Sequence, residues 1–289
     1  MSEGPGRHFS HDDRTGVVLG GGGARGLAAI GILEVLVAAG LRPAAVAGTS
    51  MGAMIGAFWA AGYSVAQMRD LATTLKWTEV FDISVAGGIM RGERFQHWLA
   101  NHLPARFSDL DFPLVCTATD IDTGDLVYLR DGDLPSAIRA TCAFPGAFVP
   151  VERDGRNLVD GGLKSTVPVR VIRDYDVGLV VACDFQPPLD RAVVPEDSSN
   201  WRNWSRFWKT LTFRRRNLAA DILLKAVDIL QTEVCRRQIG DHPPDILIAP
   251  PMRRINIEDF RLSSRIISAG AEEARRVLAA LAPPPGVEG

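Results

Sequence analysis

Two strand–turn–helix units follow one another at the start of the chain, and both are apolar almost throughout. Gly16–Gly20 (GVVLG) reads as a short strand and Ala24–Ala39 as a helix closed by Gly40. Pro43–Gly48 (PAAVAG) reads as a second strand and Met51–Ala61 as a second helix. A sheet with one wet face alternates polar and apolar residues, and a surface helix carries a polar stripe. These segments do neither, so they belong in a parallel sheet covered by helices on both faces. Further strands are expected at 113–119, 126–129, 177–183 and 246–249, and Asp154-Gly155 marks a hairpin turn between 147–151 and 157–159. Residues 65–110 read as mainly helical with a glycine break at 86–88, and 134–141, 201–239 and 264–282 read as helices, with a Pro/Asp/Ser loop at 187–200. No repeat or linker divides the chain. The expectation is one α/β domain over residues 15–282, with flexible segments at 1–14 and 283–289.

Composition narrows the function classes. Hydrophobic residues make up 46% and charged residues 23%, which rules out disorder over the whole length. The net charge of −2 supplies no basic field, so no nucleic-acid partner is expected. Cys116, Cys142, Cys183 and Cys235 include no CxxC pair, so no metal is expected from them. Cys116, Cys142 and Cys183 sit in apolar surroundings and read as buried small hydrophobes. Residues 1–14 lack an apolar signal region and no long run is apolar enough to span a bilayer, so the expected compartment is the cytoplasm.

Three loops carry the chemistry. Gly20-Gly21-Gly22-Gly23-Ala24-Arg25-Gly26 follows a strand and opens a helix, so its backbone N–H groups can turn toward an anion. Its GxGxxG pattern alone is weak, and a dinucleotide site wants an acid at the end of the second strand, where Ala47-Gly48-Thr49-Ser50 stands instead. Gly48-Thr49-Ser50-Met51-Gly52 is a GxSxG sequence between a strand and a helix, the context of a nucleophile elbow. Both loops leave strands of one parallel unit and so emerge at the same edge of the sheet. A histidine base for Ser50 is hard to find: His8 and His11 lie in the N-terminal segment, His97 and His102 in or near a helix, and His242 before two prolines. An acid is available in Asp160-Gly161-Gly162, after a strand, where the glycines allow a turn that points the carboxylate inward.

With these three motifs in this order, the chain resembles the patatin-like phospholipases of the bacterial type related to neuropathy target esterase. The stretch from Ala118 through Gly124 and the run from Ala137 through Gly146 also look like family signatures. The resemblance implies a three-layer sandwich and a serine–aspartate dyad without histidine. Ser50 would attack an ester carbonyl and Asp160 would take its proton. Backbone amides of Gly21, Gly22 and Gly23 would hold the oxyanion, with Arg25 beside them. Gly26, Gly48, Gly52, Gly161 and Gly162 complete the motifs. The implied activity is calcium-independent hydrolysis of acyl esters of phospholipids or lysophospholipids, without a cofactor. The alternative is a lipid-binding or regulatory protein with little hydrolase activity. Two positions depart from the pattern: Lys164-Ser165-Thr166-Val167-Pro168 replaces Asn-Asn-x-Pro, and Ala29 stands where relatives often carry His.

Two further features lie outside these motifs. Asp120, Asp122 and Asp125 do not follow the EF-hand spacing and read as a polar hairpin turn. Residues 201–216 (WRNWSRFWKTLTFRRR) put Trp201, Trp204, Trp208 and Leu211 on one helical face among six basic residues. That face lies in a lipid headgroup layer, at the inner face of a membrane, or packs on the domain core, or makes a protein or nucleic-acid contact.

Overall fold

The computed structural model describes residues 9, 14–81, 90–187, 218–253 and 255–281. Eight strands form one sheet: β1 (Thr15–Leu19), β2 (Pro43–Gly48), β3 (Leu114–Asp120), β4 (Leu126–Leu129), β5 (Val151–Arg153), β6 (Arg156–Asp160), β7 (Leu179–Cys183) and β8 (Ile246–Ile248). The order β3-β2-β1-β7-β8 is parallel throughout. β4 and β6 join β3 antiparallel, and β5 extends β6 through the hairpin turn at Asp154-Gly155. Both turn residues have positive φ, 51° and 72°, as the hairpin turn requires.

Helices cover both faces. Val17 and Leu19 of β1 pack with α1 (Ala28–Ala38), α2 (Met51–Ala60) and a long C-terminal helix over Ser263–Leu281. Val18, between them, packs on the other face with α7 (Val169–Ile172) and with Cys235 of α8 (Leu218–Asp241). The helices between are α3 (Val65–Thr74), α4 (Trp77–Val80), α5 (Glu93–His102) and α6 (Leu134–Thr141), which makes the Ser263–Leu281 helix α9. Every residue of β1 is buried, which explains a strand with no polar alternation. The expected central, mostly parallel sheet flanked by helices is the fold found.

Two boundaries among the described residues differ by four residues from the sequence reading. The first helix begins at Ala28, because Gly23–Leu27 forms a 3-10 turn in which the Ala24 N–H leaves the helix axis for the Ile257 carbonyl, 2.8 Å away. The first hairpin strand begins at Val151 rather than 147, because Ala147 and Val149 are engaged on either side of Met90. The loop expected at 187–200 and the basic, aromatic stretch 201–216 lie outside the described residues, apart from the loop's first position.

Candidate active site

The site is assembled where two strands meet end to end. Cys116 of β3 pairs with Gly48 of β2 and with Leu129 of β4, so β2 and β4 lie on opposite flanks of β3. Two residues on, Ala118 pairs with Val127 of β4 and with Asp160 of β6. β2 and β6 therefore share one flank of β3, and their carboxyl ends face each other across Thr117. The chain leaves β2 into Thr49-Ser50 and leaves β6 into Gly161-Gly162, which brings two loops 110 residues apart into contact. Thr117 fills the gap. Its hydroxyl is hydrogen-bonded to the Thr49 hydroxyl at 2.6 Å, and the Ser165 carbonyl, 2.8 Å from the Thr49 oxygen and 3.4 Å from the Thr117 oxygen, accepts from this pair. A Cβ at Gly161 would overlap the Thr117 hydroxyl, so this crossing admits only glycine.

Ser50 is a strained residue. Its φ of 53° and ψ of −126° lie in a region that non-glycine residues rarely occupy. The strain is the expected cost of the sharp strand-to-helix turn that lifts the hydroxyl above the sheet edge. Two bonds hold it: the Ser50 N–H donates to Thr141 Oγ1 at 2.9 Å, and the Ser50 carbonyl accepts from Met54 at 3.0 Å in the first turn of α2. Gly48 and Gly52 stand at the two ends of this turn, where α2 passes close to β1 and β2.

Asp160 is 2% exposed. Burial raises its pKa to about 6, while the neighbouring Ser50 hydroxyl and a hydrogen bond from the Gly162 N–H hold it down. The Gly162 bond is 2.8 Å long. A carboxylate with a pKa near neutrality is a better base toward a serine hydroxyl than an ordinary one. The structure thus brings the two expected groups, Ser50 and Asp160, into contact.

The glycine loop stands beside them: a Cβ added to Gly21 would lie 3.5 Å from the Ser50 Cβ. Its donors are not equivalent. The Gly20 N–H donates to the Cys183 carbonyl at 3.0 Å, and the Gly21 N–H donates to the Thr166 carbonyl at 2.9 Å. Among the described residues no carbonyl accepts from the N–H of Gly22 or Gly23. Gly23 has φ 55° and sits so close to the Ile257 carbonyl that a side chain would overlap it. Gly26 packs on Met51. Arg25 differs from expectation as an oxyanion group. Its side chain is 1% exposed and turns away, with Nε donating to the Gly22 carbonyl at 3.3 Å and Nη2 bound to Asp228 of α8, while its own N–H donates back to Gly22. All three donors face the protein, so Arg25 holds the loop rather than an anion. Gly21 differs for the same reason, because its N–H is already engaged.

Thr141, Thr117, Gln186 and Asp228 belong to none of the three motifs; Thr141 lies within the run Ala137–Gly146 and Thr117 within the strand expected at 113–119. Cys142 is also placed unexpectedly. It is half-buried near Ser50, with burial and the nearby Asp160 carboxylate pushing its thiol pKa well up. Cys116 and Cys183 are buried as expected, and Cys235 is buried too. Thr166 takes over contacts at the altered motif, its hydroxyl bonding the Gly162 and Gln231 carbonyls at 3.2 Å each. Ala29 is fully buried in α1. The His102 ring lies on Trp98, with Nδ1 2.8 Å from the Trp98 carbonyl. His8 and His11 lie outside the described residues. Asp120 caps its own turn by accepting the Asp122 N–H at 3.0 Å, and Asn157 donates to Asp122 at 2.8 Å. Among the described residues no group of three or more His, Cys, Asp or Glu is placed to hold a metal, and no helix is long and apolar enough to cross a membrane.

Comparison with known proteins bears on this geometry. The family model for patatin-like phospholipases matches residues 17–173. An uncharacterised NTE family protein of Mycobacterium tuberculosis is 27% identical over 94% of this chain and 93% of its own length. Patatin-like phospholipase domain-containing protein 7 of Mus musculus is 28% identical over 90% of this chain, which corresponds to 20% of that protein. The crystal structure of VipD from Legionella pneumophila shares the fold, with a TM-score of 0.60 at 16% identity over 93% of this chain and 67% of that one. With its motifs in order and more than half its length matched, the chain belongs to the patatin-like phospholipase family, a family of lipid acyl hydrolases, in the branch related to NTE proteins.

Proposed function

We propose that this protein is a serine acyl hydrolase that cleaves fatty-acyl esters of phospholipids or lysophospholipids through Ser50 and Asp160. The observation that carries the reading is the placing of a strained elbow serine beside a buried carboxylate whose pKa is raised to about 6. Ser50 Oγ attacks the acyl carbonyl as Asp160 takes the hydroxyl proton. The carbonyl oxygen becomes an oxyanion, held by the N–H groups of Gly22 and Gly23. The intermediate collapses, the proton passes from Asp160 to the departing alkoxide, and the acyl group stays on Ser50. Asp160 then deprotonates a water that releases the fatty acid, and the proton returns to Ser50. No metal or cofactor has a role in this sequence. Contact with the membrane that holds the substrate is assigned to residues 201–216, at the cytoplasmic face, on the composition of that stretch alone.

The test is hydrolysis of short- and medium-chain nitrophenyl esters, followed by a lipid-class screen read by mass spectrometry. Ser50→Ala should abolish turnover and fluorophosphonate labelling. Full activity in that variant would remove Ser50 as nucleophile. Liposome pelleting with Trp201, Trp204 and Trp208 changed to Ala tests the membrane contact, and unchanged pelleting would remove it.

A further inference from the structure

The two loop donors are aimed from behind. A trans peptide unit is planar, with its carbonyl oxygen and its N–H on opposite sides, so fixing one fixes the other. The chain has no cis peptide bonds among its described residues. The N–H of Gly22 shares a plane with the Gly21 carbonyl, and the N–H of Gly23 shares one with the Gly22 carbonyl. Both carbonyls are held. Gln186 Nε2 donates to the Gly21 carbonyl at 3.1 Å, and Arg25 Nε donates to the Gly22 carbonyl at 3.3 Å. Neither donor is free to wander. The Thr232 hydroxyl proton is shared between the Asp228 carbonyl at 2.8 Å and Gln186 Oε1 at 3.3 Å, and Asp228 binds the Arg25 guanidinium. Asp228 and Thr232 are one helical turn apart on the same face of α8. Gln186, Arg25, Asp228 and Thr232 are all buried.

We propose that α8 is the positioning element of the oxyanion site: Thr232 acting through Gln186 aims the Gly22 N–H, and Asp228 acting through Arg25 aims the Gly23 N–H. Gln186, Asp228 and Thr232 all lie beyond the residues that the family model matches. The same helix reaches the acid loop, since the Gln231 carbonyl accepts from Thr166 and the Gln231 side chain lies over Gly162. One face of α8 thus sets both halves of the site. The proposal rests on the hydrolase reading above.

The experiment compares wild type with Gln186→Met and with the double variant Arg25→Met, Asp228→Leu. The double variant replaces a buried ion pair by apolar groups of similar size, a change that commonly leaves stability intact. Each is measured for kcat and KM on a nitrophenyl ester, for the rate of fluorophosphonate labelling at Ser50, and for its melting temperature. Displaced oxyanion donors act on the transition state, so kcat and the labelling rate should fall about 10- to 100-fold with KM within about threefold. A folded variant of either kind that keeps kcat within about twofold overturns the positioning role. If one variant fails to fold, the other decides. Asp228→Asn adds a second criterion: placed on top of Arg25→Met it should cost nothing more, and an equal loss in both backgrounds would show that Asp228 does not act through Arg25. A wild type that neither labels nor hydrolyses any ester overturns the hydrolase reading itself, and this proposal with it.

Discussion

The Asp160 charge is held by one hydroxyl and one backbone N–H, and burial works against both. That balance has two measurable consequences. The carboxylate must be ionised to accept the Ser50 proton, so kcat/KM should rise with pH through an apparent pKa near 6 and level off above it. A profile flat from pH 5 to 8 would exclude Asp160 as the base. The second consequence is for stability. Between about pH 4, where the unfolded carboxyl ionises, and about pH 6, the native state keeps a proton that the unfolded state has lost. Asp160 therefore contributes stability below the unfolded pKa and loses it as pH rises through the folded one. Asp160→Asn keeps an oxygen for the Gly162 N–H and buries no charge. It should cost about 10²- to 10⁴-fold in rate and raise stability at pH 7.5 by about 1–3 kcal/mol, as read from urea denaturation. A variant that is both inactive and destabilised would mean the buried charge is not the strained member of the site.

Between elements the decisive fact is how closely they approach. α1 and α9 cross at Gly31 and Gly270, where a Cβ on Gly31 would overlap the Ile267 carbonyl and one on Gly270 the Ala28 carbonyl. Helix propensity favours Gly31→Ala by about 1 kcal/mol. Backbone contact reverses the sign, since overpacking of a close crossing costs about 1–3 kcal/mol or more. Gly31→Ala should therefore lower the midpoint in thermal and urea denaturation, and a raised midpoint would mean the helices part without cost. Thr117→Val tests the other close approach. It removes the hydroxyl shared by Thr49 and the Ser165 carbonyl and should cost about 1–2 kcal/mol, with a lower kcat because the ends of β2 and β6 lose their bridge. These contacts also explain what the sequence reveals. The strands, the GxSxG turn and the Asp160 turn are legible because short unbroken apolar runs and glycine placement announce them. The meeting of β2 with β6 is not, because it depends on which residues of β3 each strand pairs with. The role of Arg25 is hidden for a similar reason: its motif is local, but its partner Asp228 lies 203 positions away.

At the scale of the whole molecule, the site draws on segments far outside the stretch that carries the family motifs. Residues 17–173 hold the serine, the acid and the glycine loop, yet β7, β8, α8 and α9 come later. Cutting the chain after 187 would leave β7 as an open parallel edge, with Val181, Ala182 and Cys183 losing their partners in β8. It would uncover the buried face of α1, where Ile30, Ile32 and Leu33 are sealed with Ile266, Ile267 and Ala274 of α9. Arg25 would be left as a charge without Asp228, and removing one partner of a buried pair costs about 3–5 kcal/mol by itself. Domains hold only about 5–15 kcal/mol in reserve, so the sum of these losses exceeds what the fragment has. The expected outcome is a 1–187 product that aggregates and does not label with fluorophosphonate, although every motif residue is present. Co-expression with 188–289 should restore soluble, labelling protein, because the missing elements return to one continuous core. A soluble 1–187 fragment that labels Ser50 at the wild-type rate would show instead that the motif region builds its own oxyanion site and that the later helices only cover it.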